Sequence, residues 1–298
     1  IIGTIRLVKK ITINQKIRLK VLGISHVCIL NKYRNRGFSK ILMNYAILYG
    51  KKNNYDISLL FARKALDKYY NKFDFFGLSS FPKFSLELKK NINIKDKKIS
   101  IRDANIKDSV FLNKSYKLCY NKSNFFFIRS KKYWKHILKH SKIFNTKFKI
   151  VFYNQKPLFY INYKNNEIYE FGGVINKTCS TILKNFIFYY LEKKFFLFND
   201  PYHPFISYFN NEINKLEFKN TIYGGHMVRI LNENKFNLKS KKASKIFNKL
   251  NIKNKNKFNL NLFSLFKTAY FTNTKIFHFD KNFFVKYKIV HFLRNDEF

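Results

Sequence analysis

The sequence predicts an α+β protein with mixed central sheets, built as two similar domains followed by a short C-terminal region. The chain has 298 residues, a length that suits two domains of ordinary size. Hydrophobic residues make up 46% of it and aromatic residues 19%, enough to bury a core in each domain. Strand-like runs alternate with segments of helical spacing, and this order occurs twice. We place the domains at 1–90 and 99–230 and the terminal region at 231–298.

The first domain begins with two predicted strands, at 2–8 and 21–30, joined by a polar turn. From Phe38 apolar residues recur at helical spacing, and Gly50 is predicted to end that helix. The compact apolar run at 55–62 predicts a buried strand, and a short helix follows at 65–73. A strand, a turn with glycine, a helix and a second strand form a βαβ arrangement. Ligands of open α/β sheets collect at the edge where such a turn lies.

The second domain repeats this mixture from residue 99 onward. A strand and two helices lead into three predicted strands at 148–153, 157–164 and 167–175, with turns at Asn154-Gln155 and Asn165-Asn166. A helix at 180–194 and a last strand at 225–231 complete it. The region after residue 231 is predicted to be helical, with a Lys/Asn-rich connector.

The composition is strongly basic, but lysine does not mark one surface. The formal net charge is +42, and Lys, Asn, Ile, Phe and Tyr, which share AT-rich codons, are spread along the whole chain. We therefore attribute the charge to coding bias and do not expect a nucleic-acid partner. The charge would still draw anionic ligands toward the protein.

The cysteines and histidines argue against a disulfide framework and against a metal site. Cys28, Cys119 and Cys179 are far apart and form no C-x-x-C pair, which fits a reducing, cytoplasmic compartment. His136 and His140 have helical i, i+4 spacing, but a zinc site needs a third ligand. No apolar run approaches the roughly 20 residues that span a bilayer. We predict no metal and no membrane span.

A basic turn precedes the first helix and has the features of an anion site. Arg34 and Arg36 flank Asn35, Gly37 follows, and the helix begins next to it. Backbone N–H groups at a helix start have no intrahelical partner and carry partial positive charge, so they bind phosphate. Glycine lets a ligand approach the backbone closely, and arginine adds charged hydrogen bonds.

A second segment strengthens this interpretation. Tyr69 and Tyr70 are followed by Asp74-Phe75. The two segments together resemble the GNAT N-acetyltransferase superfamily, whose signature is Arg/Gln-x-x-Gly-x-Gly/Ala and later aromatic-Tyr-x-x-x-Gly-Phe. Ser39 replaces the last small residue of the first pattern. Asp74 replaces the glycine of the second, and Asp tolerates the left-handed backbone that this glycine adopts.

This resemblance implies acetyl-CoA as co-substrate and assigns most of the site. The pyrophosphate would lie on the turn and helix start, formed by Arg34, Asn35, Arg36, Gly37, Phe38 and Ser39. The pantetheine arm would pair with the strand edge at Val27, Ile29 and Leu30. The amide near Ile29 would polarise the thioester carbonyl. Tyr70 would protonate the leaving thiolate, since a phenol of ordinary pKa near 10 keeps its proton at neutral pH.

The rest of the chain resembles the Eis-type (enhanced intracellular survival) tandem-GNAT proteins. The second domain, from "ISIRDANIKD" to "HMVRIL", resembles their second acetyltransferase-like domain. It lacks the Arg-x-x-Gly motif, which implies a degenerate copy without cofactor. The terminal region resembles the end of their sterol-carrier-like domain but is shorter than expected. Homo-oligomers occur in that family. Because the chain opens inside a predicted strand without an initiating Met, we expect an N-terminal truncation.

Several groups are candidates for the general base. Eis-type enzymes use their C-terminal carboxylate, and this chain ends in Phe298 after Asp296 and Glu297, which are alternative bases. His26, in the strand before the basic turn, could act through water. We predict an N-acetyltransferase that moves acetyl from acetyl-CoA to a primary amine, on a small molecule or a protein, by direct attack. The alternative is a non-enzymatic GNAT-fold module that binds nucleic acid or an acidic partner.

Overall fold

A computed structural model describes residues 1–14, 17–77, 82–87, 98–121, 126–174, 176–191, 194–198, 213–218 and 223–232. The chain divides into two compact units. Among the described residues, the first unit contains 1–77 and 223–232, and the second contains 82–218. Each unit is built around its own sheet.

The first unit begins with a long antiparallel hairpin. Its elements are β1 (Gly3–Asn14), β2 (Ile17–Ile29), a 3-10 turn (Asn31–Tyr33), α1 (Phe38–Lys52), β3 (Ile57–Arg63), a 3-10 turn (Lys64–Leu66), α2 (Asp67–Asn71) and β4 (Phe76–Gly77).

The chain then forms the second unit and returns to the first with its last described strand. The elements of the second unit are β5 (Pro82–Glu87), β6 (Ile99–Asp103), a 3-10 turn (Ile106–Asp108), α3 (Ser109–Tyr120), β7 (Phe126–Phe127), α4 (Lys131–Ile143), β8 (Lys147–Tyr153), β9 (Lys156–Lys164), β10 (Glu167–Gly173), α5 (Lys177–Tyr190), β11 (Lys194–Phe198) and β12 (Ile213–Phe218). The returning strand is β13 (Tyr223–Ile230).

In the first unit the strands run in the order β4-β13-β3-β2-β1. Neighbours are antiparallel except β2 and β3, which are parallel because α1 crosses over between them. The core forms where α1 and the segment after α2 meet the sheet. Its buried members include Leu22, Ile24, Met43, Ala46, Ile47, Leu60, Phe75 and Met227.

In the second unit the order is β12-β5-β11-β10-β9-β8-β6. Again one pair is parallel, β10 with β11, and α5 makes the crossover. The buried face of α5 packs on this sheet through Cys179, Ile182, Leu183, Phe186 and Ile187. The predicted α+β class with mixed sheets is thus confirmed.

Two strands lie in the unit that the sequence analysis did not assign to them. The residues of β13 were predicted to close the second domain, but they pair with β3 and β4 of the first unit. The residues of β5 fall within the predicted first domain, but they pair with β11 and β12 of the second. β13 lies next to β3, which follows the crossover helix α1, and β5 lies next to β11, which follows the crossover helix α5. Such pairing joins residues far apart in sequence, so local pattern does not reveal it.

Local predictions about turns hold, whereas one about helix termination does not. Asn154, Gln155 and Asn165 adopt φ of 48°, 62° and 50° in the hairpin turns expected there. Gly50 was predicted to end the first helix, but α1 continues to Lys52. A Cβ on Gly50 would lie 2.6 Å from the Leu231 Cδ1 atom, so the glycine is needed for close packing.

The predicted sterol-carrier-like region begins at residue 231, and nearly all of it lies outside the described residues. Among the helices that the structure describes, none combines the length and the apolar character needed to cross a membrane.

Candidate active site

A β-bulge interrupts β2 near the open end of the hairpin, where β2 approaches its last residue. The register with β1 passes from Thr4↔Cys28 to Arg6↔Ser25, so two residues, His26 and Val27, oppose the single residue Ile5. His26 adopts a φ of 52°, a left-handed conformation that is uncommon for residues other than glycine, although His, Asn and Asp adopt it more often than most. The bulge shifts the pairing of β2 with β1 by one residue, and such a bulge bends its strand.

Beyond the bulge β2 and β3 part. Their parallel pairing runs from Val21↔Ile57 to Ile24↔Leu60 and, in the described part of the chain, goes no further. A cavity of about 260 Å³ lies where they separate. Seven residues line it: Ile24, Ser25, His26, Val27, Leu60, Phe61 and Tyr70. The predicted cofactor residue Val27 and the predicted acid Tyr70 therefore meet in one cavity.

Tyr70 enters this cavity from α2 and is held by aromatic neighbours. Its ring packs edge-on against Tyr69, with centroids 5.1 Å apart, and against Phe75 at 6.5 Å. Only 9% of the residue is exposed. Burial raises the pKa of the Tyr70 hydroxyl above its ordinary value, and the nearby Tyr69 and Cys28 raise it further. The hydroxyl is therefore protonated at neutral pH and available as a proton donor.

His26 lines the same cavity. The side chain is exposed, and its Nδ1 lies 3.0 Å from the Ser25 hydroxyl oxygen. An imidazole can accept a proton near neutral pH. The bulge thus brings a proton acceptor and the Tyr70 proton donor to the same opening between two strands.

The basic turn forms the start of α1 as the sequence predicts. Asn35 and Gly37 have φ of 60° and 80°, and Gly37 is the N-cap. Its carbonyl accepts the first helical bonds, from the amides of Lys40 and Ile41. No described side chain caps the helix start, and a Cβ on Gly37 would meet no atom within 4 Å. The start of α1 therefore lacks both a described side-chain cap and a crowded N-cap position, two features that suit an anion site.

The two arginines of the turn take different positions. The Arg34 Nε donates to the Ile29 carbonyl over 3.2 Å, which ties the turn to the end of β2. The Arg36 guanidinium lies 6.0 Å from the centre of the Tyr33 ring, and that ring also packs edge-on against Phe38. The aromatic contacts hold the turn in shape while both arginines stay exposed.

Two of the predicted residues of the strand edge, Ile29 and Leu30, face opposite ways. The Leu30 amide donates to the Ile2 carbonyl over 3.0 Å, so it points toward β1. The Ile29 carbonyl points to the opposite edge, where Arg34 reaches it. Because N–H and C=O of one strand residue share a side, the Ile29 amide also faces that edge. Of the two, Ile29 is the one directed toward the gap.

In the segment after Tyr70, Asp74 has the left-handed backbone that was expected because it replaces the glycine of the GNAT signature. Asp74 adopts a φ of 55°, which confirms the expectation for this substitution. Its carboxylate lies 2.9 Å from the Arg229 guanidinium of β13. Arg229 also donates to the Phe73 carbonyl. These contacts fix α2, and with it Tyr70, against the sheet.

The corresponding edge of the second unit is filled by protein groups. β10 also carries a bulge, between Ile168 and Glu170, and its described pairing with β11 is limited to Glu167↔Phe196 and Ile168↔Leu197. Beyond the bulge, the Phe171 amide donates to the Tyr120 hydroxyl over 3.4 Å. The next amide on that edge, Gly173, donates to the Cys119 Sγ at the same distance. Helix α3 thus occupies the strand edge that corresponds to the one beside the cavity of the first unit.

A buried ion pair lies next to that edge. Arg129 donates to both carboxylate oxygens of Glu170, at 2.6 and 3.0 Å, and the Tyr160 hydroxyl donates to one of them at 2.6 Å. The Arg129 guanidinium also lies over the Tyr116 ring, 3.9 Å from its centre. The Arg129 and Glu170 side chains are both 0% exposed. No sequence signal indicated that these two residues would pair.

The helix start of the second unit is capped as well. At α5 the Asn176 side chain accepts from the Cys179 amide over 2.7 Å. The α1 start has no such cap among the described residues. In the described part of the chain, the second unit thus has both a helix against its strand edge and a side-chain cap at its helix start, whereas the first unit has a cavity and an uncapped helix start at these positions.

The remaining site predictions lie elsewhere or outside the described residues. Phe298, Asp296 and Glu297 are outside the residues that the structure describes. Within those residues, no group of three or more His, Cys, Asp and Glu side chains is placed to hold a metal ion.

Comparison with solved structures identifies the fold. A GCN5-related N-acetyltransferase from Kribbella flavida matches with a TM-score of 0.58 and 14% identity, over 77% of this chain and 58% of that one. Another from Anabaena variabilis gives 0.56 and 14%, over 76% and 59%. Eis1 from Mycobacterium abscessus gives 0.53 and 12%, over 78% and 62%.

These similarities show that the chain has the fold of the GCN5-related N-acetyltransferases. The chain spans about three fifths of the length of these structures. No family model matches the sequence, and no curated protein matches it.

Proposed function

We propose that the first unit is an acyl-CoA-dependent N-acyltransferase that moves an acetyl group from acetyl-CoA to a primary amine. The observation that carries this proposal is the gap between β2 and β3. There the Tyr70 donor and the His26 acceptor line one cavity, and the strand edge at Ile29 runs toward the Gly37 helix start. Such a gap accepts a thioester at its centre and a phosphate at its end.

Donor binding would use the backbone more than side chains. The pyrophosphate would take the first amides of α1, at Gly37, Phe38 and Ser39, where the absent cap and the missing Cβ leave room. Arg34 and Arg36, on either side of Asn35, precede them in the exposed turn and add positive charge. The pantetheine arm would follow β2 past Ile29 toward Val27.

The chemistry is direct attack by a neutral amine on the thioester carbonyl. The new C–N bond forms as the carbonyl carbon becomes tetrahedral, and the Ile29 amide stabilises the oxyanion. The C–S bond then breaks, and Tyr70 gives its proton to the departing thiolate. Its raised pKa suits this role because the proton is present at the operating pH.

The base that takes the ammonium proton is proposed to be His26, directly or through water. Its imidazole lines the cavity together with Tyr70, and it is exposed whereas Tyr70 is buried. The C-terminal carboxylate of Phe298, or Asp296 or Glu297, remains the alternative that the resemblance to Eis-type proteins implies.

The second unit is proposed to be a degenerate copy that does not bind acyl-CoA. Its strand edge is occupied by Cys119 and Tyr120, and its helix start is capped by Asn176. We further expect a homo-oligomer in a reducing, cytoplasmic compartment. The exposed apolar residues Ile41, Tyr45 and Leu48 of α1 are available for self-association.

Calorimetry with acetyl-CoA tests the donor site. We expect the full-length chain to bind, and Gly37→Glu to abolish binding through its charge and its positive φ. Gly37→Asn is the matched control, since Asn tolerates this backbone and is neutral. Binding that Gly37→Glu leaves unchanged, or no binding by the wild type, would overturn the proposal and favour a non-enzymatic module. If the wild type binds acetyl-CoA and Gly37→Glu does not, an amine panel assayed by free-thiol release defines the acceptor.

A further inference from the structure

The exposed side of α4, in the second unit, carries a continuous row of aromatic and imidazole rings. Tyr133 stacks on His136 with centroids 6.4 Å apart, His136 lies 5.3 Å from His140, and His140 lies 4.4 Å from Phe144. We call these four residues the ring row. Both histidines are exposed, and Phe144 is 56% exposed. The row arises because the rings recur every three or four residues, on one side of the helix.

Lysines run alongside the ring row. The helix contains five lysines and no acidic residue, in the sequence "KKYWKHILKHSKI". Lys132 and Lys139 stand four and three positions from His136, so they are its neighbours on the helix surface. All five lysines are exposed. A line of positive charge therefore lies beside the ring row.

The opposite side of α4 fixes this surface in place. Trp134, Ile137 and Leu138 are buried, and the Trp134 ring packs edge-on against Tyr116 and Tyr160 at 5.9 Å each. The Ser130 hydroxyl caps the helix by accepting from the Tyr133 amide. The ring row is thus presented by an anchored helix, which lowers the entropy lost when a ligand binds.

We propose that this side of α4 binds single-stranded nucleic acid. Unpaired bases stack on ring faces, while lysines neutralise the phosphates that connect them. From Tyr133 to Phe144 the helix rises about 16 Å, which suits four or five nucleotides of a stacked strand at about 3.4 Å each. An acidic protein would use the lysines but not the rings, and a duplex hides its base faces. The overall charge of the chain does not point to this partner, whereas the ring row does.

The site is independent of the proposed acyl transfer, because every residue that forms it lies in the second unit. Its test therefore needs no acyl-CoA and no assay of turnover.

Fluorescence anisotropy with the full-length chain tests the site. The probes are labelled ten-nucleotide oligo-dT and oligo-rU, an abasic oligomer of the same length and charge, and a duplex. We expect the single strands to bind at least tenfold more tightly than the abasic oligomer, since each stacked base adds affinity. Equal affinity for the abasic oligomer, or tighter binding of the duplex, would overturn the proposal.

Two paired variants separate stacking from charge. His136→Ala/His140→Ala is expected to remove most of the preference for bases while leaving the salt dependence unchanged. Lys132→Gln/Lys139→Gln should lower the slope of log affinity against log salt by about 1.4, at about 0.7 per phosphate contact. Lys51→Gln/Lys52→Gln, at the end of α1, removes the same charge elsewhere and should change this slope little.

Either of two results with these variants would contradict the site on α4. One is a histidine variant that keeps the full preference for bases. The other is a fall in the salt slope of the α1 control that is as large as the fall in the α4 lysine variant. Trp134 is the single tryptophan of the chain, so its emission reports that each variant keeps the helix packed.

Discussion

The Sγ of Cys119 lies 3.4 Å from both the amide nitrogen and the carbonyl oxygen of Gly173. This contact, with the Tyr120 hydroxyl on the neighbouring amide, fills the edge of β10 beyond its bulge. In the first unit the same stretch of β2 opens on a cavity. Two sheets of like topology therefore differ in whether a helix supplies hydrogen-bonding partners to one strand edge. The difference determines where we expect a ligand to bind.

Replacement of Tyr70 by Phe is expected to lower kcat about 100-fold or more, with little change in KM for acetyl-CoA. The variant removes the proton donor and keeps the ring contacts with Tyr69 and Phe75. Steady-state thiol release measures both constants. Tyr69→Phe removes the adjacent hydroxyl and serves as the control that should retain activity. Equal losses in the two variants would contradict the assignment of the acid.

The raised pKa of Tyr70 gives this prediction a pH dependence. A general acid works while it is protonated, and burial keeps the proton on Tyr70 above pH values where an exposed tyrosine loses it. The alkaline limb of kcat should therefore lie above the ordinary tyrosine pKa of about 10, and Tyr70→Phe should lack it. Because the pKa of Tyr70 is higher in the folded than in the unfolded protein, the protonated hydroxyl stabilises the fold at pH values below the unfolded pKa. This contribution is lost as pH rises through the folded pKa. A limb that persists in the variant would belong to another group.

Replacement of His26 by Gly is expected to stabilise the fold and to remove activity. The positive φ of 52° costs a non-glycine residue energy, so relief should raise the free energy of unfolding by about 0.5–1 kcal/mol after the entropic cost of glycine. Turnover should fall because the proton acceptor is gone, and added imidazole should restore part of it. Urea unfolding and thiol release measure the two effects.

Asn154→Gly is the matched control for His26→Gly. Asn154 has a similar φ of 48° in the turn between β8 and β9, far from the cavity in sequence and in the other unit. It should gain less stability, because Asn tolerates this conformation, and it should keep full activity. Activity retained in His26→Gly would mean that the bulge has only a structural role.

Removal of one partner of the Arg129–Glu170 pair is expected to destabilise the protein strongly. Both side chains are fully buried, so Glu170→Gln leaves the Arg129 charge without its counter-ion. The expected loss is about 3–5 kcal/mol in urea unfolding. The double variant Arg129→Met/Glu170→Leu should lose less than the sum of the single changes, since it removes both charges. Single variants that lose under about 1 kcal/mol would contradict the importance of this pair.

The three cysteines are expected to differ in reactivity. Cys28 is exposed, whereas burial raises the pKa of both Cys119 and Cys179 to about 12. Few thiolates form at the buried sites near neutral pH, so iodoacetamide should label Cys28 first. Mass spectrometry of the digested protein measures the order, and labelling in urea should make all three equivalent. Acetyl-CoA should slow the reaction of Cys28, which lies near Tyr70.

Most local features of the first unit could be predicted from the sequence because they depend on neighbouring residues. Glycine and Asn in the turn before Phe38, with apolar spacing after it, predict the start of α1. The resemblance to the GNAT signature led to Tyr70. Asp74 could be expected to adopt a left-handed backbone because its side chain tolerates one. The bulge at His26 could not be foreseen, because it depends on the register against β1.

The sequence by itself determined the α+β class, the order of most strands and helices, and the residues of the basic turn. Spacing, turn residues and a short motif encode these features within a few positions of each other. Only the tertiary structure decided that β5 and β13 join sheets other than those predicted. It also decided that Arg129 meets Glu170 and that Cys119 and Tyr120 occupy the edge of β10. These outcomes depend on contacts between residues at least 41 positions apart in the sequence. Such contacts follow from how the sheets assemble.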